Sequence, residues 1–507
     1  MRVTNSMITR NSMKNMNSNK VNVDILNNQM TTQKKISRPS EDPVIAIRAL
    51  RLRSNLHELE QYYERNIPDA QSWIEVTESA LKNMQSILDD IYTQCNNGSN
   101  DTLNQQNRAD ILKNLQSLRQ QVYSEGNADY AGRHVFTGYK TNKQLTFAGD
   151  DKEIAYEITE KISYKDIEEK RYYSNSVEVP NNQLEVLPGV PIGDMPKEFV
   201  NDRIRLSYEQ TGELNADDLT YYDKERERWR SLGDMQIDGD YVGVVTDMTY
   251  DEWAAQDFYV DDKDVIYFKE TGELILGKDV ASHLASNKTE LSITYTKQGF
   301  NEGELRPEHY FDCKDITDPD HPIEYTKENQ EIKYNIAFQQ DITVNTQASD
   351  VFDAAIGRDI DELTNAVQAA IAAHDKVDKI KAMQKEAQYS DPASQEALGQ
   401  WLEAAEKEAV YADDNMQKLY SRGVGKFQKY KDNVTLARTD LGSRENRLKL
   451  TENRMSNQQA TFEQLKSRNE DMELSDIIIQ YTAAYNAYQA SLQASSKANG
   501  QTLLNYL

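Results

Sequence analysis

The chain has 507 residues, 38% of them apolar, and a formal net charge of −26, with a mean hydropathy of −0.80. That length leaves room for about three domains, and no apolar run reaches the roughly 18 residues of a membrane-spanning helix. Residues 1–150 carry a net +2, 151–345 a net −23 and 346–507 a net −5. Such an acidic middle repels phosphates and anionic headgroups, which disfavours nucleic acid and membrane insertion.

The first thirty residues lack the apolar stretch and cleavage site of a secretory signal peptide. Met16, Asn19, Val23, Leu26, Met30 and Gln33 recur at alternating spacings of three and four. With Asn and Gln in its seam, this segment buries too little to fold alone and is expected to be disordered in an isolated chain. Pro39 is expected to stop that helix, and Asp42-Pro43 reads as an N-cap followed by proline at the first helical position. Ile67, Ala70, Ile74, Thr77, Leu81, Met84, Leu88 and Ile91 then hold a coiled-coil seam for nearly four heptads. Ala49, Leu56 and Tyr63 extend it backward more weakly, and Pro68 predicts a kink or restart. After the polar break Asn96–Asp101, Ile111, Leu115, Leu118 and Val122 predict a second, antiparallel helix.

The period changes in the middle. Val265–Phe268 and Leu274–Leu276 flank a Gly-containing turn and read as a β-hairpin. Ile293, Tyr295, Ile332, Tyr334, Ile336 and Phe338 alternate as half-buried strands do. Tyr208–Leu214 echoes Phe268–Leu274, which suggests two related hairpins. Helical spacing returns from Val351 to about Gln384, through Ile360, Leu363, Val367, Ala370 and Ile371. An Ala- and Glu-rich helical stretch follows to about Leu419. Leu441, Leu448, Met455 and Phe462 step by seven with Thr451, Gln458 and Leu465 between them, and no proline occurs from 393 onward. Ile478, Tyr481, Tyr485, Tyr488 and Leu492 form a last stripe that continues to Leu503, Leu504 and Leu507.

The expected fold is a mainly α rod of long antiparallel helices built from both termini, with a β-rich module inserted mid-chain. Three segments follow: a helical 1–147, an acidic β-rich 148–345 and a helical 346–507. Ile67, Ile74, Leu81, Met84, Leu88, Leu448, Met455 and Phe462 are the expected rod core. Val23, Leu26, Met30, Ile478, Tyr481, Tyr485, Tyr488, Leu492, Leu503 and Leu507 are the expected assembly interface. For the tyrosine stripe, a helix seam is preferred over a ligand-stacking face.

Catalytic spacings are missing: there is no HExxH, P-loop or G-x-S-x-G, and Gly423-Val-Gly425-Lys426 lacks both the spacing and the hydroxyl of a phosphate loop. His309, Cys313 and His321 match no usual zinc spacing. The turns of Asp315, Asp318 and Asp320 and of Asp234, Asp238 and Asp240 lack the closing Glu of a calcium loop. Arg48, Arg51 and Arg53 do not share one helix face and read as surface charges pairing with neighbours such as Glu58. No enzyme and no cofactor are expected.

Met1–Met7, Ile36–Pro43 and Ala49–Arg53 resemble the N-terminus of the flagellar hook-associated protein 3 family, the hook–filament junction relatives of flagellin. Tyr130–Gly138 is similar to the segment where that family leaves its helices for a β-domain. Leu441–Arg447, Tyr488–Ala494 and the Leu-Leu-Asn-Tyr-Leu finish resemble its C-terminal helices. Thr146-Phe147 stands where members often have Pro-Phe, and the middle is larger than a minimal member needs. Pro39 and Pro43 favour the junction branch over flagellin proper, whose loop usually reads Ala-x-Asp-Asp-Ala-Ala-Gly. A filament subunit, or a flagellin-like protein with a glycan-binding insert, is the alternative. The resemblance implies a structural, extracellular flagellar protein that leaves by type III export without a cleaved signal. It further implies a ring of about eleven copies contacting hook-associated protein 1 and flagellin, and an export chaperone as partner.

Overall fold

The computed structural model describes residues 4–99, 105–174, 176–180, 185–186 and 195–500. Among them run ten α-helices: α1 (Asn5–Thr32), α2 (Pro43–Gln61), α3 (Ile67–Gly98), α4 (Gln105–Val122), α5 (Tyr250–Ala255), α6 (Lys278–Asn287), α7 (Ala348–Val351), α8 (Ala355–Met383), α9 (Pro392–Glu470) and α10 (Leu474–Gly500). Long helices therefore occupy both ends and a β-rich region lies between them. The chain divides into two compact units, Met1–Gln71 with Lys333–Ile342 and Arg444–Leu507, and Ser72–Ile332 with Thr343–Ser443.

In the first unit, Asp42 caps α2 as its spacing predicts, its Oδ1 accepting from the N–H of Val44 at 2.9 Å and of Ile45 at 3.1 Å. Such a cap is worth about 1 kcal/mol. Between α2 and α3, Tyr62–Asn66 widen into one π-helical turn in which the Ile67 N–H reaches back to the Tyr62 carbonyl. Pro68 accounts for it, because it has no N–H to give the Glu64 carbonyl and the ladder must shift register. The shifted turn also supports a short hairpin, Lys333–Ala337 with Gln340–Thr343. Asn66 Nδ2 donates to the Asn335 carbonyl at 2.8 Å, and the Tyr334 hydroxyl donates to Asp69. Ile336 is buried in that hairpin. Phe338, expected half-buried, stands 73% exposed at its tip, because the turn ends the alternation that the sequence pattern extends through it.

The second unit holds two sheets. A five-stranded sheet orders 243–245, 264–268, 273–276, 197–205 and 168–174, and a six-stranded one orders 323–325, 312–315, 151–163, 290–300, 219–223 and 228–231. Their facing sides and α6 share one core around Tyr156, Ile158, Ile204, Tyr267, Leu274, Leu284, Ile293 and Tyr295. The opposite side of the five-stranded sheet is covered by α5 and its neighbours, where Trp253 packs with Tyr172, Phe258, Phe268 and Ile275. Burial on both faces explains why 265–268 and 274–276 read as unbroken apolar runs. The hairpin between them is present, Phe268 pairing with Glu273 across Gly272 at φ +61. Its echo at Tyr208–Leu214 is not a second hairpin. That stretch lies along the first one instead, with the N–H groups of Gln210 and Thr211 donating to the carbonyls of Glu270 and Lys269 at 3.0 and 2.9 Å.

A buried ionic cluster ties the five-stranded sheet to α8 and α9 within this unit. Arg203, 2% exposed, donates to both oxygens of Glu362 at 2.6 Å and also pairs with Glu273, which Lys170 Nζ reaches at 2.8 Å. Arg205 bridges Glu362 at 3.0 Å and Asp359, and Asp359 further accepts from Lys426 at 2.9 Å and the Tyr430 hydroxyl at 2.7 Å. Burial alone would raise the Glu362 carboxyl, but the two guanidinium groups hold it far below the usual range. Further along, α8 and α9 close on Val177 and Val186 through Val377, Ile380, Leu398 and Trp401. Where α3 nears α9 a Cβ on Gly423 would sit 3.0 Å from Cys95 Sγ, so any side chain there would have to push the thiol aside by a few tenths of an ångström.

Candidate assembly surface

The two terminal helices fold because each supplies the apolar surface the other lacks. In α1 the less exposed positions are Thr9, Ser12, Met16, Asn19, Val23, Leu26 and Met30, spaced alternately by three and four. They face α10, which lies along α1. The segment expected to be disordered in an isolated chain is here helical over Asn5–Thr32. A polar seam is tolerated because it has a partner helix contributing Ile477, Tyr481, Ala484, Tyr488, Ser491 and Ser495 on the same alternation. This pairing is shallow: only Ile477 is fully buried, and the rest are half-buried.

The predicted C-terminal stripe is split by this arrangement. Tyr481 and Tyr488 turn toward α1, whereas Ile478, Tyr485 and Leu492 lie along the edge of that face and are exposed, Tyr485 stacking on Tyr481 with ring centroids 6.0 Å apart. Leu503, Leu504 and Leu507 lie outside the described residues. Spacing does not single out Ile477, because Ile477-Ile478-Ile479 is apolar all round and periodicity cannot say which of three consecutive isoleucines points inward. Outward-facing apolar side chains are abundant: Met7, Ile8, Met13, Val21 and Ile25 on α1, and Leu474, Ile478, Ile479, Tyr485 and Leu492 on α10. On α2, Val44, Ile47 and Leu50 are likewise exposed. Apolar side chains left in solvent outside a helix seam suit a surface that neighbours cover. Burying even half of these at roughly 1.5–3 kcal/mol each would meet the ordering cost of association.

Of the expected core, Ile67, Ile74, Leu81, Met84, Leu88, Leu448 and Met455 are buried. Phe462 is only half-buried; it lines a groove of about 440 Å³ with Leu59, Tyr62, Phe338 and Met455. Gln458 and Leu465 are exposed, so the inner line of α9 runs through Thr451 and Met455 and then drifts off the seven-residue step, as a straight 3.6-residue helix must.

The joint between the terminal pair and the rest of this unit was invisible in the sequence. α1 ends at Thr32, well before Pro39, because Gln33 turns left-handed at φ 56 and the next residues pair elsewhere. Lys34 bridges Asp471, the Lys35 N–H donates to the Glu470 carbonyl at 2.7 Å, and the Met472 N–H donates to the Gln33 carbonyl at 3.0 Å. Arg53 of α2 grips Glu470 with Nε at 2.8 Å and Nη2 at 2.6 Å. Hydrogen bonding from Arg53 pulls the Glu470 carboxyl below its ordinary range, and Lys34 adds to this. These partners lie more than four hundred residues apart, and no local pattern announces them.

The remaining chemistry-bearing residues stay apart. Cys95 and Cys313 are buried thiols that burial pushes up to about 12. His309 pairs through Nε2 with the Gln144 carbonyl at 3.2 Å, whereas His321 sits exposed in a turn. Among the described residues no three His, Cys, Asp or Glu converge as metal ligands, and no helix is long and apolar enough to cross a membrane.

The two helical ends match known sequence families. Residues 3–141 match the bacterial flagellin N-terminal helical region, and residues 425–507 match the bacterial flagellin C-terminal helical region. Flagellar hook-associated protein 3 of Salmonella typhimurium and that of Escherichia coli are each 28% identical over 142 residues, 28% of this chain and 44% of theirs. The match thus spans less than half the length of these curated relatives. A putative flagellar hook-associated protein from Vibrio parahaemolyticus aligns over 85% of this chain and 100% of its own at 13% identity, with a TM-score of 0.34. The flagellar junction protein of Legionella pneumophila aligns over 83% and 100% at 12% identity, with a TM-score of 0.28. Overlap that loose leaves the sequence matches to carry the relationship.

Proposed function

We propose that this chain, whose ends match the N- and C-terminal helical regions of bacterial flagellin, is a structural subunit of the bacterial flagellum that joins hook to filament. The observation carrying this reading is the α1–α10 pair, whose inward seam is half-buried and whose outward faces keep at least ten large apolar side chains in solvent. That surface suits a protein completed by its neighbours. Copies meeting through two different patches would propagate in a ring or helix, and a ring of about eleven fits the resemblance. Hook-associated protein 1 would lie on one side and flagellin on the other. Val23, Leu26 and Met30 would form the inner part of the contact, and Ile478, Tyr485 and Leu492 the part offered to neighbours. Segments 1–147 and 346–507 would build the assembly, and the acidic 148–345 would face outward. Transit through the type III export channel with an export chaperone, and no catalytic role, complete the proposal.

Two experiments test it. Deleting the gene should leave hooks without filaments and flagellin secreted into the medium; continued filament growth would refute the junction role, and loss of the only filament protein would favour a flagellin. Replacing Tyr485 by Asp should leave the melting temperature of the purified chain nearly unchanged while abolishing filament attachment. A motile strain with normal filaments would remove Tyr485 from the contact.

A further inference from the structure

We propose that Glu470 is the positioning residue of the assembly pair: it fixes the direction in which α1 and α10 leave α2 and the end of α9, and that direction decides whether copies can join. This rests on the assembly reading above and extends it from the contact surface to the joint that aims it. The chain connections alone could not hold a direction. Only Asp471–Glu473 separate α9 from α10, and Gln33–Asp42 separate α1 from α2. Two such single-chain links behave as a loose hinge unless something fixes them.

Beside the Lys34–Asp471 bridge and the Met472 N–H bond to the Gln33 carbonyl, the ties that reach α2 converge on Glu470 and its neighbour. Glu470 is 4% exposed although it stands at a helix end. Its carboxylate receives the fork of Arg53, which sits nearly three turns into α2, and it faces Lys34 of the α1–α2 link at 3.6 Å. Its own carbonyl accepts the Lys35 N–H, so side chain and main chain of one residue hold both strands of the hinge. Its neighbour Asn469 donates from Nδ2 to the Ile45 carbonyl at 3.1 Å, a second tie between α9 and α2. A bidentate guanidinium–carboxylate pair fixes angle as well as distance. A lysine would supply charge without the fork, so Arg53→Lys separates geometry from electrostatics.

The test uses the full chain with spin labels at Asn17→Cys on α1 and His57→Cys on α2, both exposed sites, while Cys95 and Cys313 stay buried. With Glu470 intact, double electron–electron resonance should read one narrow distance. Glu470→Ala and Arg53→Lys should lose that narrow peak while hydrogen exchange shows α1 and α10 still protected, which distinguishes a released hinge from an unfolded pair. Both variants should lose filament attachment in cells, and the exchanged pair Arg53→Glu with Glu470→Arg should recover the peak and the attachment together. An unchanged peak in Glu470→Ala would overturn the proposal, as would a broadened peak with undiminished attachment. Failure of the assembly reading shows differently: a strain lacking 474–500 that stays motile would refute assembly and leave the distance result standing.

Discussion

Replacing Glu362 by Ala probes the ionic cluster that joins the five-stranded sheet to α8. In the native chain both Glu362 oxygens accept from Arg203 at 2.6 Å, and one also accepts from Arg205 at 3.0 Å. Both arginines are nearly inaccessible, at 2% and 8% exposure. Truncation leaves two buried guanidinium groups sharing Glu273 and Asp359, with Glu168 at the edge. Breaking a buried pair by removing one partner costs about 3–5 kcal/mol, most of it the price of the stranded charge. The surviving carboxylates soften this, so roughly 3 kcal/mol is expected. With a urea slope of about 1–3 kcal/mol per molar, the transition reporting this unit should fall by one molar or more. Trp253 lies in the core on the sheet's other side and supplies the fluorescence signal. The paired replacement Glu362→Leu with Arg203→Met should recover much of the loss, because it removes charge with counter-charge. A loss below 1 kcal/mol for the single variant would mean that the cluster is hydrated and that the burial argument fails.

Other consequences can be checked directly. Leu81→Asp places an unpaired carboxylate at a fully buried position of α3 and should cost several kcal/mol; unchanged thermal stability would remove Leu81 from the core. The thiols of Cys95 and Cys313, both pushed up to about 12 by burial, should resist a thiol reagent at pH 8 until denaturant is added, and fast labelling of the native chain would contradict their burial. Burial lowers the imidazole of His309 to about 4 against an ordinary 6.5. The unfolded chain therefore binds the extra proton first, and this residue's share of stability is complete above pH 6.5 and lost as pH falls toward 4. His309→Gln should flatten the stability slope between pH 6.5 and 5, and an unaltered slope would refute the assignment.

An element is most legible in the sequence where one of its faces decides its fate. The seam from Ile67 to Ile91 repeats over nearly four heptads, and burial of Ile67, Ile74, Leu81, Met84 and Leu88 follows from spacing alone. The Asp42-Pro43 start of α2 and the hairpin at Gly272 were legible for the same reason, since their chemistry is local. Features that depend on partners remote in the chain leave no such local signal. Phe338 continues a strand alternation and so reads as buried, yet the turn that exposes it follows from Gln339 adopting φ 54. Tyr208–Leu214 carries the letters of a hairpin but pairs with the segment it resembles.

Around α1 and α10 the difficulty is of another kind, and it bears on function. A helix with one apolar face announces its inside; α10 has apolar residues on every face, so its sequence cannot rank them. Only the pairing with α1 does so, by taking Ile477, Tyr481 and Tyr488 and leaving Ile478, Tyr485 and Leu492 outside. An isolated soluble domain would gain nothing from that second face, and exposing it invites aggregation. It makes physical sense where the chain meets copies and neighbours that cover it. The same logic explains a seam containing Asn19, Ser491 and Ser495: strong pairing inside the chain would hold the terminal helices together before a partner arrives, whereas a shallow seam lets the energy of assembly come from the outer faces.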